Sequence, residues 1–170
     1  GITLHKDDVE LLTAFAKDIG FMGPFYENYN GNKEKTCRTM TLSGKYLADS
    51  LVQRGCFPRK SFTLLFPNET QVPNHLLHHF LRGYFDGDGC ASFHEMPKRG
   101  YVYFHFSLIS SEAFCRGARN ALINLVGLPE TKLAEKKNIS RGIFTVTYSS
   151  MVGPNCYAYR LYDFLYKDAT

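Results

Sequence analysis

An order of elements written twice along the chain constrains this fold more than any single motif does. The helix-closing pair Ile19-Gly20 has a counterpart in Val126-Gly127. Thr39-Met40-Thr41-Leu42-Ser43 has one in Thr145-Val146-Thr147-Tyr148-Ser149, and Leu4 and Asp8 line up with Leu108 and Glu112. A spacing of roughly one hundred residues is too long for a solenoid repeat and marks duplication of a whole supersecondary unit. The second copy runs from about Asn74 to Thr170, whereas the first has nothing matching Leu76–Gly89 or the strand after it. The chain is therefore expected to divide into residues 1–66, a partial first repeat with a linker, and residues 67–170, a complete second one. Gly1 in place of Met predicts a native N-terminus further upstream.

Local signals fill in the two copies. Asp7 or Asp8 caps a helix that carries Val9, Leu11, Leu12, Phe15, Ala16 and Ile19 and stops at Gly20. The turn-rich stretch from Phe21 to Lys35, with Tyr26, Asn28, Tyr29, Asn30 and Gly31, predicts a hairpin, and Thr36–Leu42 a strand. Ser43 caps a helix over Tyr46–Arg54 that Gly55 closes, and Pro58, Pro67 and Pro73 mark residues 56–73 as a connector. An apolar helix then carries Leu76, Leu77, Phe80, Leu81, Tyr84 and Phe85 and ends in Asp86-Gly87-Asp88-Gly89. Strands are expected at Ala91–Glu95 and Tyr101–Leu108. The second alternates, with Val102, Phe104, Phe106 and Leu108 on one face and Tyr101, Tyr103, His105 and Ser107 on the other. Ser110 or Ser111 caps a helix over Glu112–Val126; strands at Thr131–Lys136 and Gly142–Tyr148 precede a last helix, Cys156–Tyr166. Strands that follow one another between helices give an α+β chain with antiparallel sheets.

Composition narrows the class. With 44% apolar and 21% charged residues the chain is neither disordered nor low-complexity. A net charge of +4, spread over both halves, permits a nucleic-acid partner without demanding one. Cys37, Cys56, Cys90, Cys115 and Cys156 form no Cys-x-x-Cys pair, the pattern of reduced thiols in an intracellular protein. No apolar stretch approaches a membrane span, and Gly-Ile-Thr-Leu-His-Lys is not a signal peptide.

The segment that carries chemistry is Leu81-Arg82-Gly83-Tyr84-Phe85-Asp86-Gly87-Asp88-Gly89. Carboxylates in the last turn of a helix face the negative end of its dipole, which is unfavourable until a divalent cation sits in front of them. Gly83 and Gly87 strip one face of bulk so that a second helix can approach, and Gly89 is expected to turn in the left-handed conformation into the next strand. An exposed, glycine-notched apolar helix is an aggregation liability, which predicts that it associates with a partner.

This segment resembles the signature of the LAGLIDADG homing endonucleases, with Arg82 where that signature has a small residue. Leu51-x-x-x-Gly55-x-x-Pro58-x-Lys60-Ser61, Phe66-Pro67 and Pro73 are similar to that family's inter-repeat linker. The resemblance implies a duplicated α-β-β-α-β-β-α fold with saddle-shaped antiparallel sheets over DNA. It also implies a site-specific endonuclease that makes a metal-dependent double-strand break, with an intron-encoded or intein-associated origin. Two signature helices would each deliver a carboxylate. Asp88 would be the catalytic metal ligand, the Gly87 carbonyl a further ligand, Lys60 a charge stabiliser, and Asp86 a capping and structural residue. Mg²⁺ would be the cofactor, with Ca²⁺ or Mn²⁺ able to take its place. Only one signature helix is visible, so the second is expected from an upstream segment, a partner fragment or a second chain. If none is supplied, the alternative is a LAGLIDADG-type protein that binds nucleic acid without cutting it, an RNA maturase or a regulator. Neither a nucleophilic start nor a terminal His-Asn is present, so this segment is not expected to splice as an intein.

The polar strand faces supply the recognition surface for double-stranded DNA: Ser92, His94, Tyr101, Tyr103, His105, Thr145 and Thr147, with Thr39 and Thr41 in the first copy. Lys98, Arg99, Lys132, Lys136, Lys137 and Arg141, in turns or at strand ends, are expected to meet phosphates. Asp86, Asp88 and Glu95 also fit three positions of a calcium loop, but Tyr84 stands where that loop needs its first acid. His75, His78 and His79 read as a polar helix face with no carboxylate nearby in the sequence to complete a metal site.

Overall fold

A computed structural model describes residues 1–29, 36–58, 60–136 and 141–168. The chain falls into two compact units, Gly1–Ser50 and Leu51–Thr170. The divide lies earlier than the expected boundary after residue 66 because Leu64 and Phe66 pack into the second core. No helix of the described residues is long and apolar enough to cross a membrane.

In the first unit, β1 (Ile2–His5) leads through a short 3-10 turn into α1 (Val9–Asp18), followed by β2 (Phe25–Asn28), β3 (Cys37–Met40) and α2 (Lys45–Gln53), which crosses the divide. The sheet is antiparallel with the order β1-β3-β2. Leu12, Ala16 and Met40 form its small core, ringed by Ile2, Leu4, Phe21, Phe25 and Leu42. Within the expected hairpin, Asn30, Gly31 and Lys35 lie outside the described residues.

The second unit begins with α3 (Leu77–Asp88), which passes straight into β4 (Gly89–Met96). It continues through β5 (Tyr101–Ser111), α4 (Glu112–Val126), β6 (Ala134–Glu135), β7 (Ile143–Met151) and α5 (Tyr157–Leu165). Its antiparallel sheet has the order β4-β5-β7-β6. Phe104, Phe106 and Leu108 of β5 and Val146 and Tyr148 of β7 face inward, meeting Leu77 and Leu81 of α3, Phe114, Ala118 and Leu122 of α4, and Leu161 and Leu165 of α5. The Ser111 hydroxyl accepts from the Phe114 amide at 3.2 Å and caps α4. Gly127, at φ 69°, closes it in the left-handed form with Leu128 buried behind it.

The duplication is visible in topology and register. From β5 to α5 the second unit repeats the order strand, helix, strand, strand, helix of the first, and β5-β7-β6 mirrors β1-β3-β2. Ile2 pairs with Met40 and Leu108 with Val146, each partner displaced by the same 106 positions. The same offset takes buried Leu12 and Ala16 to buried Ala118 and Leu122. Register therefore matches Ile2, not Leu4, to Leu108, a two-residue correction that keeps each strand on its proper face. β1 escaped expectation because four residues at a chain start carry too little pattern to read.

Candidate functional site

α3 is held on three sides. Leu77 and Leu81 are buried, Phe85 stacks on Phe106 with centroids 4.8 Å apart, and Tyr84 stacks on Phe114 at 4.1 Å. The Tyr84 hydroxyl donates to the Ile109 carbonyl at 3.0 Å. Gly89 is extended (φ −96°, ψ 169°), not left-handed as expected. Glycine is needed there for space: a Cβ would lie 2.2 Å from the Phe85 ring and 2.4 Å from the Phe85 carbonyl. Asp86 caps nothing; it accepts a 2.6 Å hydrogen bond from the Tyr166 hydroxyl. Burial, and then that bond to a carboxylate, push the Tyr166 phenol up to about 12. Asp86 and Asp88 lie in a helix and Glu95 in a strand, so no calcium loop forms.

Asp88 and Lys60 open onto one cavity of about 280 Å³, walled by Ser61, Leu64, Tyr84, Ile109, Ser110 and Ile143. Lys60 begins a 3-10 turn whose fold is fixed by bonds from the Thr63 and Leu64 amides to the Lys60 carbonyl, at 3.0 and 2.8 Å. The Ser111 hydroxyl donates to the Leu64 carbonyl. Phe66 then anchors the connector edge-on to Phe114 and Phe80, with centroids at 5.5 and 5.9 Å. Gly117 permits that seat, because a Cβ there would lie 2.2 Å from the Phe66 Cβ. Burial raises the Tyr84 phenol, with the Asp88 charge adding to the shift and Ser110 opposing it. Tyr84 is thus a neutral wall beside an exposed acid. The Asp88 carboxylate makes no hydrogen bond or ion pair among the described residues. Within its own unit nothing lies within 4 Å of a Cβ built on Gly83 or Gly87, so the notched face of α3 is open there.

One face of the four-stranded sheet is polar and open. Ser92 and His94 of β4 stand opposite His105 and Tyr103 of β5, and Ser107 and His105 stand opposite Thr147 and Ser149 of β7. Ser92 bonds His94 at 2.9 Å and His105 bonds Ser149 at 3.2 Å. Arg99 donates to the Tyr101 hydroxyl at 3.1 Å, and the rings of Tyr101 and Tyr103 meet at 5.2 Å. Lys98 and Arg99 are exposed in the turn beyond β4. Lys132 is exposed before β6, Lys136 half-buried after it and Arg141 exposed before β7, while Lys137 lies outside the described residues.

Thr145 does not belong to this surface. It sits between Ile109 and Ala134, is 3% exposed, and donates its hydroxyl to the Leu108 carbonyl at 3.0 Å. An interior strand position with neighbours on both sides consumed the polar group that sequence parity had assigned to solvent. In the first unit Thr39 is joined by Thr3 at 2.7 Å and accepts from Asn28 at 2.5 Å, while Thr41 lies beyond the end of β3. Ser149 and Thr3 were the members of these faces that sequence reasoning missed; strand parity against His105 and Thr39 would have found them.

No protein-family model and no curated protein matches this sequence. Among solved structures, the chain is similar to the LAGLIDADG meganuclease I-AabMI bound to uncleaved DNA, with a TM-score of 0.46 and 17% identity over 88% of this chain and 68% of that one.

Proposed function

We propose that this chain belongs to a site-specific, Mg²⁺-dependent DNA endonuclease of LAGLIDADG type. One observation carries the reading: Asp88 and Lys60, placed by unrelated elements, open onto the same small cavity. An exposed carboxylate at the negative end of a helix has no structural task there, whereas it suits a cation. The donors fit a hard ion. They are the Asp88 carboxylate and the Gly87 carbonyl, which belongs to the last helical turn and has no intrahelical donor. Mn²⁺ or Ca²⁺ would fit the same oxygens. A cation held there would supply Lewis-acid assistance to phosphodiester hydrolysis.

The chain's own residues do the rest. Stacking of Tyr84 and Phe85 fixes the direction of α3, and with it the position of Asp88. Lys60 would set a positive charge where a scissile phosphate would lie, and the neutral Tyr84 phenol adds no second anion to the cavity beside Asp88. The open face formed by Ser92, His94, Tyr101, Tyr103, His105 and Thr147 would read base edges, with Thr39 and Thr41 in the first unit. Lys98, Arg99, Lys132, Lys136 and Arg141 would meet phosphates. A second carboxylate would arrive on a second signature helix packed at Gly83 and Gly87, from upstream, from a fragment or from another chain.

Incubation of a randomised duplex library with the chain and Mg²⁺ tests this. The expected outcome is selective cutting that Asp88→Asn abolishes while salt-sensitive binding survives. The single signature acid favours one further reading, a nucleic-acid binder that does not cut. Selective binding with no cutting at all would establish that reading, and absence of both would overturn the two together.

A further inference from the structure

At the opposite end of α3 a second constellation stands apart from the Asp88 cavity. His78 is 3% exposed, and its Nε2 lies 2.7 Å from an Asp168 carboxylate oxygen, the two residues being 90 positions apart in sequence. The neighbouring His79 brings its own Nε2 to 3.9 Å from the same oxygen. The two imidazole rings meet at 3.9 Å with 36° between their planes, and the Phe164 ring stands edge-on to His78 at 6.2 Å. Adjacent residues on a helix ordinarily diverge, so this convergence is set by the C-terminal segment folding back over α3. The three ligand atoms all lie within 4.8 Å of one another. Sequence reasoning had found no carboxylate for these histidines; Asp168 supplies it from the other end of the unit.

We propose that His78, His79 and Asp168 form a binding site for a transition-metal ion of the Zn²⁺ type. Nitrogen and oxygen ligands at bond lengths of about 2.0–2.2 Å around a tetrahedral ion stand roughly 3.3–3.5 Å apart. The separations of 2.7 and 3.9 Å from Asp168 bracket that value, and all three ligand atoms lie within 4.8 Å of one another, so side-chain shifts of about 1–1.5 Å assemble the site. Three protein ligands leave the fourth position to water, reached through the exposed side of Asp168. Two histidines select against Mg²⁺, which prefers oxygen donors, so this site and the Asp88 cavity would sort different metals. Ten residues of helix, at 1.5 Å each, put the two about 15 Å apart along α3.

The surroundings suit ligation. His79 Nδ1 lies 3.3 Å from the Arg82 guanidinium, and that guanidinium already stands over the Tyr166 ring at 5.9 Å, where it can remain once His79 turns its proton to Nδ1. An ion here would fasten the segment after α5 onto the signature helix. Because the unfolded chain lacks the arrangement, binding would add directly to stability. The proposal does not depend on the nuclease reading.

Titration of the chelator-stripped chain with Zn²⁺, in competition with a chromogenic chelator, tests it. The expected result is one equivalent bound with a dissociation constant below about 1 µM, weakened at least about tenfold in His79→Ala and in Asp168→Asn. These two part-exposed positions are chosen over the buried His78, and metal-free melting of each variant checks its fold. Zn²⁺ should raise the melting temperature of the unmodified chain and not of the variants. With Co²⁺, visible bands of tetrahedral intensity without a thiolate charge-transfer band are expected. Absence of stoichiometric binding, binding unchanged in both variants, or a thiolate band pointing to the cysteines would each overturn the proposal.

Discussion

The two units carry the same strand-helix-strand-strand-helix order and the same three-strand pairing, yet they are built to different depths. The first closes on three buried side chains, Leu12, Ala16 and Met40. The second, with α3 and β4 added, buries aromatic and aliphatic residues from α3, α4 and α5 and from two of its strands, β5 and β7. The shared order fixes which strands touch, and register is inherited with it. Added depth comes from α3, which brings Leu77 and Leu81 and covers Phe106 and Phe114. The lesson is that topology and stability were duplicated separately. The element that deepens the core is also the one that ends in Asp88.

Truncation of each core gives the largest contrast. Phe114→Ala should cost about 3–5 kcal/mol and remove hydrogen-exchange protection across residues 51–168. Leu12→Ala should cost about 2–4 kcal/mol and remove protection only in the first unit. Equal loss in both units from either variant would erase the contrast. Next in size is Gly117→Ala. The added methyl displaces Phe66 and should cost about 1–3 kcal/mol in chemical denaturation. It should also lower any Asp88-dependent cutting, because Lys60 rides on the same connector.

A smaller effect is expected at Tyr166. Its phenol ionises near 12 against an ordinary 10.0, so the folded state holds the proton more tightly. The associated stability is full below pH 10 and lost as pH rises toward 12. Tyr166→Phe should cost about 1 kcal/mol at neutral pH and flatten that alkaline loss, followed as denaturation midpoint against pH. Smallest of all is Lys98→Ala, which should leave folding unchanged and reduce the salt slope of DNA binding by about one. Thr39→Ala, on the sheet of the first unit, removes no charge and should leave that slope unaltered.

What could be read in advance follows from the range of the forces involved. The alternation of β5 and the bounds of α4 are local patterns and stand as read, and the duplication, a repeated one, stands once its first strand is shifted by two residues. Asp88 and Lys60 were named from a motif and a linker, and the structure brings both to one cavity. The misreadings arose where tertiary neighbours decide. Thr145 lost its surface to a strand on either side, Asp86 is structural as read but through Tyr166 and not as a cap, and Gly89 answers to the Phe85 ring instead of to a turn. His78 and Asp168 met across 90 residues that no periodicity connects.

The direct passage from α3 into β4 has a mechanical consequence. With Gly89 wedged under Phe85 and no loop between them, helix and strand form a single lever without slack. Asp88 and Ser92 are four residues apart across that joint, about 13 Å of extended chain at 3.3 Å per residue. That length is a ruler cut into the backbone: under the proposed reading, wherever the face of β4 settled along a duplex, the position reached by the carboxylate would already be chosen. Lengthening the ruler by one residue would also turn every β4 side chain over, so the offset and the reading face are inseparable.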